Sequence, residues 1–206
     1  MNWIALACSA ENYVLAWSDS LSILESACAS EFRAICRIYG VDDFELQQLK
    51  NGNLDFRLKF SGPRTTELVG AKKPDDLHQL SQLLQARVSL MNELQQRLAH
   101  GYKRFAEVVP WQDQAYSLKS HQAWAVLGGV RNNIGFVEDY AQEANLDLET
   151  AARMIVTKAA NQEALVRKLE RLRVRHQESI RQTRNKFEIA AARARMDEDA
   201  FLSMLM

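Results

Sequence analysis

Asp147-Leu148-Glu149-Thr150-Ala151-Ala152-Arg153-Met154-Ile155 opens the stretch that decides the fold, which runs on to Arg195-Met196 without a Gly or a Pro. Apolar or small residues recur through it at three- and four-residue steps: Leu148, Ala152, Ile155, Ala159, Leu165, Leu169, Leu172, Ile180, Phe187, Ala190 and Ala194. His176 and Thr183 stand as polar gaps in the series. This spacing places them on one face of an α-helix. At 1.5 Å per residue, about fifty helical residues would span roughly 75 Å, more than twice the diameter of a compact domain of this size. The reading therefore predicts either a broken helix or an elongated molecule.

Upstream, Leu77, Leu80, Leu84, Val88, Met91, Leu94 and Leu98 form a second seam of the same kind, with Gln, Arg, Glu and Asn on the other faces. Asp75 after Pro74 supplies a helix start, and Ala71-Lys72-Lys73-Pro74 is a linker. A helix with such a seam needs a helical partner. Between the seams, Gly101 and Pro110 bound a connecting segment in which Trp111 and Tyr116 staple the chain to the bundle. Ser120 then caps a helix carrying Ala123, Leu127, Val130, Ile134, Val137 and Ala141, with Gly128-Gly129 inside it for close packing or a kink.

Toward the N-terminus, Trp3, Ile4, Leu6, Tyr13, Val14, Leu15 and Trp17 predict a helix over residues 3–17. Leu21, Leu24, Cys28, Phe32, Ile35 and Ile38 predict a second helix, from Ser20 to Gly40. A short helix follows from Asp42 to Lys50. The period then changes to two: Leu54, Phe56, Leu58 and Phe60 alternate with Asp55, Arg57 and Lys59, and Ser61-Gly62-Pro63-Arg64 turns the chain toward Thr65 to Val69. This is a β-hairpin. The fold class expected is mainly α, an elongated antiparallel helical bundle or coiled coil with one small β-hairpin at about residues 54–69. Residues 1–70 hold the N-terminal helices and hairpin, and 75–206 the long-helix bundle, either as two units or as one continuous domain.

The 206 residues are 47% hydrophobic and 25% charged, values of a globular chain, with 26 basic against 26 acidic side chains. The balance is local. Residues 167–186 carry Arg167, Lys168, Arg171, Arg173, Arg175, Arg181, Arg184 and Lys186 against Glu170 and Glu178, so eight minus two leaves a net charge of plus six. Arg167, Arg171 and Arg175 lie along one helical stripe. Such a stripe suits an acidic protein surface or nucleic acid, and pairs such as Glu163 with Arg167 offer the simpler role of a solvated face.

The three cysteines, Cys8, Cys28 and Cys36, are an odd number. On one helix Cys28 and Cys36 would stand about 12 Å apart, beyond disulfide reach. Reduced thiols and a cytoplasmic protein are expected. The apolar opening Met1 to Cys8 is too short and lacks the preceding basic residue of a signal peptide, and no stretch has the length of a membrane span. His78, His100, His121 and His176 have no second ligand at metal spacing, and no nucleotide-binding, hydrolase or calcium-loop motif occurs. No catalytic residue, cofactor or metal is expected, and the chain is read as a non-enzyme.

The last ten residues follow Asp197-Glu198-Asp199 with Ala200-Phe201-Leu202-Ser203-Met204-Leu205-Met206. In a short helix Phe201, Leu202, Met204 and Leu205 share a side, a docking tail for another chain. The acidic triplet before it suits a basic neighbour, such as the 167–186 stripe of a second copy, because a straight helix would keep the tail away from its own stripe.

From about Tyr102 to Thr183 the order of features resembles helical accessory modules of tailed-bacteriophage virion and tail-associated proteins. The shared elements are Pro110-Trp111-Gln112-Asp113-Gln114-Ala115-Tyr116, a helix, the acid-capped Leu148-Glu149-Thr150-Ala151-Ala152-Arg153-Met154-Ile155, and a Leu/Arg helix from Leu165 to Ile180. The resemblance implies a structural or assembly component of a larger complex, homo-oligomeric or multi-subunit, in a virion if phage-encoded. The alternative is a small helical subunit that contacts nucleic acid through Arg167, Arg171, Arg175, Arg181 and Arg184.

Overall fold

The computed structural model describes residues 2–28, 35–62, 65–105 and 112–199. The fold is mainly α, with seven helices among the described residues and two small antiparallel sheets. It divides into two compact units, Met1–Leu98 with Arg173–Met206, and Ala99–Leu172.

The first sheet corrects the N-terminal reading. Residues 3–17 are not a helix but an antiparallel pair, β1 (Asn2–Cys8) and β2 (Val14–Ser18), and β3 (Ile35–Val41) joins on the other side in the order β2-β1-β3. Asn12 makes the turn at φ 68°, a left-handed conformation that Asn tolerates, and Ser9 N donates to Tyr13 O at 2.9 Å. Every residue from Ile4 to Cys8 is buried. β1 is the central strand and is covered on both faces, so it reads as an unbroken apolar run instead of an alternating one. On one face Ile4, Leu6, Cys8 and Val14 pack with Val41, Leu49, Phe56 and Leu58. The opposite face presents the small residues Ala5, Ala7 and Ala16 and receives α1 (Leu21–Ala27).

The helix expected from Ser20 to Gly40 is thus only its first two turns, and the chain returns as β3. β-Branched Ile35 and Ile38 with Tyr39 suit a strand, and they fell on helical spacing by coincidence. The edge of β2 is closed by side chains of α3 (Asp75–Phe105): Gln85 Oε1 accepts from Trp17 N at 3.0 Å, and Ser81 Oγ donates to Leu15 O at 2.8 Å.

Two expectations here hold. α2 (Asp43–Lys50) forms with a full capping box, Glu45 N donating to Asp42 Oδ1 at 2.7 Å and Asp42 N to Glu45 Oε2 at 2.9 Å. β4 (Phe56–Gly62) and β5 (Thr65–Gly70) make the hairpin. It is fastened to the β1–β2 turn by Leu58 N donating to Asn12 O and Arg57 Nε to Glu11 O, each at 2.9 Å.

In α3, Leu84, Val88, Met91, Leu94 and Leu98 are buried, as the seam predicts, while Gly101 lies inside the helix. α4 (Gln112–Leu127) begins well before Ser120, and Gly128-Gly129 end it instead of lying within it. Gly129 adopts φ 88°, and Val130 N reaches back to Ala125 O at 2.9 Å, closing the helix as glycine caps do. α5 (Gly135–Glu143) is therefore a separate helix.

The long stretch is broken into α6 (Leu148–Arg181) and α7 (Lys186–Glu198). Asn185 caps α7, its side chain accepting from Glu188 N at 2.9 Å. The break lies at the polar gap Thr183, and a fully buried arginine of α3 fixes it: Arg87 Nε donates to Thr183 Oγ1 at 3.1 Å and a second guanidinium nitrogen donates to Thr183 O. Beyond the break the seam changes register. Phe187 is 86% exposed, and Ala192 and Met196 are buried in place of Phe187, Ala190 and Ala194.

Candidate functional site

Four arginines of the basic stripe, Arg167, Arg173, Arg175 and Arg181, are engaged by their own chain. Arg167 pairs with Glu163, Arg173 donates to Gln177 at 2.8 Å, and Arg181 pairs with Glu178 at 2.6 Å while its Nε donates to Ser26 O at 2.9 Å. Arg175 lies 3.6 Å from Asp199. Arg171 is exposed on the outer face of α6, and Arg184 is exposed at the α6–α7 turn. The simpler reading of a solvated, internally paired face thus accounts for much of the charge.

The turn at residues 182–185 also changes what the acidic triplet can reach. α7 runs back along α6, so Asp199 Oδ2 stands 3.4 Å from His176 Nε2 as well as beside Arg175, and Asp197 pairs with Arg97 of α3 at 2.6 Å. The expectation that a straight helix keeps the acidic residues from their own stripe is corrected: the helix is not straight, and Asp199 meets the stripe of its own chain. Phe201, Leu202, Met204 and Leu205 lie outside the described residues, as do Pro110 and Trp111.

Two open grooves border α7. One of about 580 Å³ is lined by Arg175, Glu178, Ser179, Glu188 and Arg195, and one of about 520 Å³ by Asp76, Gln82, Arg184 and Lys186. Among the described residues that line them, no hydrogen bond joins a nucleophile to a base oriented by a third group. Among the described residues no group of His, Cys, Asp and Glu could hold a metal ion, and no described helix is long and apolar enough to cross a membrane.

Two sites were hidden in the sequence. Lys73, expected in an open linker, has a buried side chain whose ammonium donates to Leu54 O and lies 3.8 Å from Asp55. Burial pushes that ammonium down to about 8, against the opposing pull of Asp55. The second is a pair of thiols. Because the expected helix stops at Ala27 and returns as β3, Cys28 and Cys36 are not a helix's length apart; Cys28 caps α1, and its thiol interacts with that of Cys36 through a side-chain hydrogen bond. That hydrogen bond raises the Cys28 thiol and lowers the Cys36 thiol, and burial raises Cys28 further. Arg87, which donates to Ala27 O at 3.4 Å, sits next to them. Only the helix stop could have signalled the pair, and no Gly or Pro marks it.

The outward faces of the second unit carry large apolar side chains. On α4 Tyr116, Leu118 and Trp124 are exposed, while Ala123 and Val126 of the same helix are buried. Phe136 at the start of α5 is partly exposed beneath Lys119, whose ammonium lies 5.9 Å from the ring. No protein-family model, no curated protein and no solved structure matches the chain.

Proposed function

We propose that the protein is a structural or assembly component of a larger protein complex and acts through protein–protein contacts without catalysis. The observation that carries this reading is α4, where Ala123 and Val126 enter the core while Tyr116, Leu118 and Trp124 stay exposed among polar neighbours. Outward aromatic side chains are typical anchors of protein interfaces. The partner is a second copy or another subunit of an assembly. A tailed-phage virion is the setting implied by the resemblance over residues 102–183, with the cytoplasm as the place of the unassembled chain. Phe201, Leu202, Met204 and Leu205 supply a further contact to a partner chain. An elongated, coiled-coil packing of the two seams belongs to the same proposal, and small-angle scattering of the intact chain reads it.

The test is the mass of the intact chain in solution over a range of concentration, followed by a salt titration of binding to generic DNA and RNA. A mass above that of one chain, with no salt-sensitive nucleic-acid binding, is the expected result. A chain that stays monomeric and binds nucleic acid overturns the proposal in favour of the arginine stripe. In that case changing Arg167, Arg171 and Arg175 to Gln lowers the salt slope by nearly three units.

A further inference from the structure

We propose that Cys28 and Cys36 form a thiol–disulfide exchange site that takes a low-molecular-weight disulfide as its oxidant and closes an intramolecular bridge between α1 and β3. The placement follows from the fold. Cys36 is paired with Ala7 in β3, and Ala7 is paired with Ala16 in β2, so a row of small side chains crosses the sheet on the face that receives α1. Without bulk in that row the helix settles close to the strands, and its cap residue Cys28 lies at the end of a helix that packs on β3, the strand of Cys36. Both thiols are free and half-buried, and Cys8, the third, is fully buried in the core on the other face.

The two thiols are not equivalent. Their interaction raises the Cys28 thiol and lowers the Cys36 thiol, so Cys36 is the attacking sulfur and Cys28 the resolving one. In the first step the Cys36 thiolate attacks one sulfur of the external disulfide; the external S–S bond breaks, a mixed disulfide forms, and the other half leaves as a thiolate. That thiolate takes up the proton released by Cys28. The Cys28 sulfur then attacks Cys36 Sγ, the mixed disulfide breaks, and the second external thiolate leaves and takes from solvent a proton equivalent to the one Cys36 released on ionising. Two protein thiols are oxidised to one disulfide and the external disulfide is reduced to two thiols. Arg87, beside Cys28 and fixed on Ala27 O and Thr183, favours the resolving step by stabilising the Cys28 thiolate as it forms.

The experiment is equilibration of the full chain with mixtures of oxidised and reduced glutathione, trapping of remaining thiols with iodoacetamide, and mass analysis of the intact chain and its peptides. The expected product has lost two hydrogens, links the peptides of Cys28 and Cys36, and leaves Cys8 to be alkylated only after unfolding. Cys8→Ser is expected to give the same bridge. Cys28→Ala is expected to stop at a stable glutathione adduct on Cys36, and its Cys36 is expected to be alkylated several-fold more slowly at neutral pH. The proposal is overturned if the native chain bridges through Cys8, or if Cys36 holds glutathione stably while Cys28 is intact. Should Cys28→Ala fail to fold, the peptide map of the native chain decides alone.

Discussion

The two compact units build their cores from side chains of different size. In the first, the cluster around β1 is built from large residues, Ile4, Leu6, Val14, Val41, Leu49, Phe56 and Leu58 with Cys8, and Trp17 and Tyr39 close its rim. In the second, four of the eight cluster residues are alanines, Ala123, Ala141, Ala151 and Ala152, and Tyr116, Leu118 and Trp124 lie on the outside. Large buried side chains bring most of the free energy of burial, at about 25 cal/mol per Å² of apolar surface. The first unit thus puts its large side chains into its own core while leaving Trp3, Phe44 and Phe187 exposed, and the second, for its smaller size, keeps a greater share of its apolar side chains outside. The second unit is accordingly the better candidate for a surface that finishes folding against a partner.

The largest effect expected from this contrast is at Leu6, fully buried on the central strand. Leu6→Ala removes packing that the sheet cannot close over, and a loss of about 2–5 kcal/mol in the first unit follows. Its counterpart in the second unit is Ile134→Val, for which about 0.5–1.5 kcal/mol is expected. Hydrogen exchange, which reads each unit's amides separately, is the appropriate measurement. Equal losses across both units would mean that they unfold as one, and would break the comparison.

The same contrast explains which parts of the fold were legible in the sequence. Periodicity reports burial on one side, so the seam of α3 from Leu84 to Leu98 and the hairpin at β4 and β5 could be read directly. β1 is buried on both faces, and its apolar run from Ile4 to Cys8 carries no period that separates a strand from a helix. α1 and β3 were merged because Leu24, Cys28 and Ile35 happen to fall at helical steps with no Gly or Pro between them. The helix break at Thr183 left a trace only as a polar gap. The residue that fixes it, Arg87, is distant in the chain and looked like any polar position on a helix face. The candidate sites suffered most, since Cys28, Cys36, Lys73 and Arg87 acquire their roles from contacts that local spacing does not encode.

A medium effect is expected at Lys73, which sharpens the account of the first unit's core. Its amine is held near 8 in the folded chain and returns to its ordinary value near 10.5 on unfolding. Below pH 8 both states are protonated, and burying the ammonium costs stability in full. Between about 8 and 10.5 the unfolded chain binds more protons than the folded one, so stability rises with pH across that window. A gain on the order of 1–3 kcal/mol is expected. Lys73→Met removes this contribution to the slope. If the variant and the native chain show the same pH dependence from 8 to 10, the amine is hydrated and Lys73 is not part of the core.

The smallest effect on folding, and the one that bears most on function, is expected at Trp124. Its side chain is 61% exposed on α4, two residues before buried Val126, so truncating it removes no core packing. Trp124→Ser should change the stability of the second unit by no more than about 0.5 kcal/mol, the usual range for surface positions. Yet exposing an indole to water forgoes burial that a partner would provide, and buried tryptophans at interface centres can each carry more than 2 kcal/mol of binding. The substitution is therefore expected to weaken self-association or assembly by tenfold or more, because about 1.4 kcal/mol corresponds to each factor of ten. Native mass spectrometry or sedimentation of the folded variant measures it. An unchanged association constant with unchanged stability would mean that α4 faces solvent in the working protein. The excess of outward apolar residues in the second unit would then have no partner to explain it, and the assembly reading would have to rest on the residues after Asp199 alone.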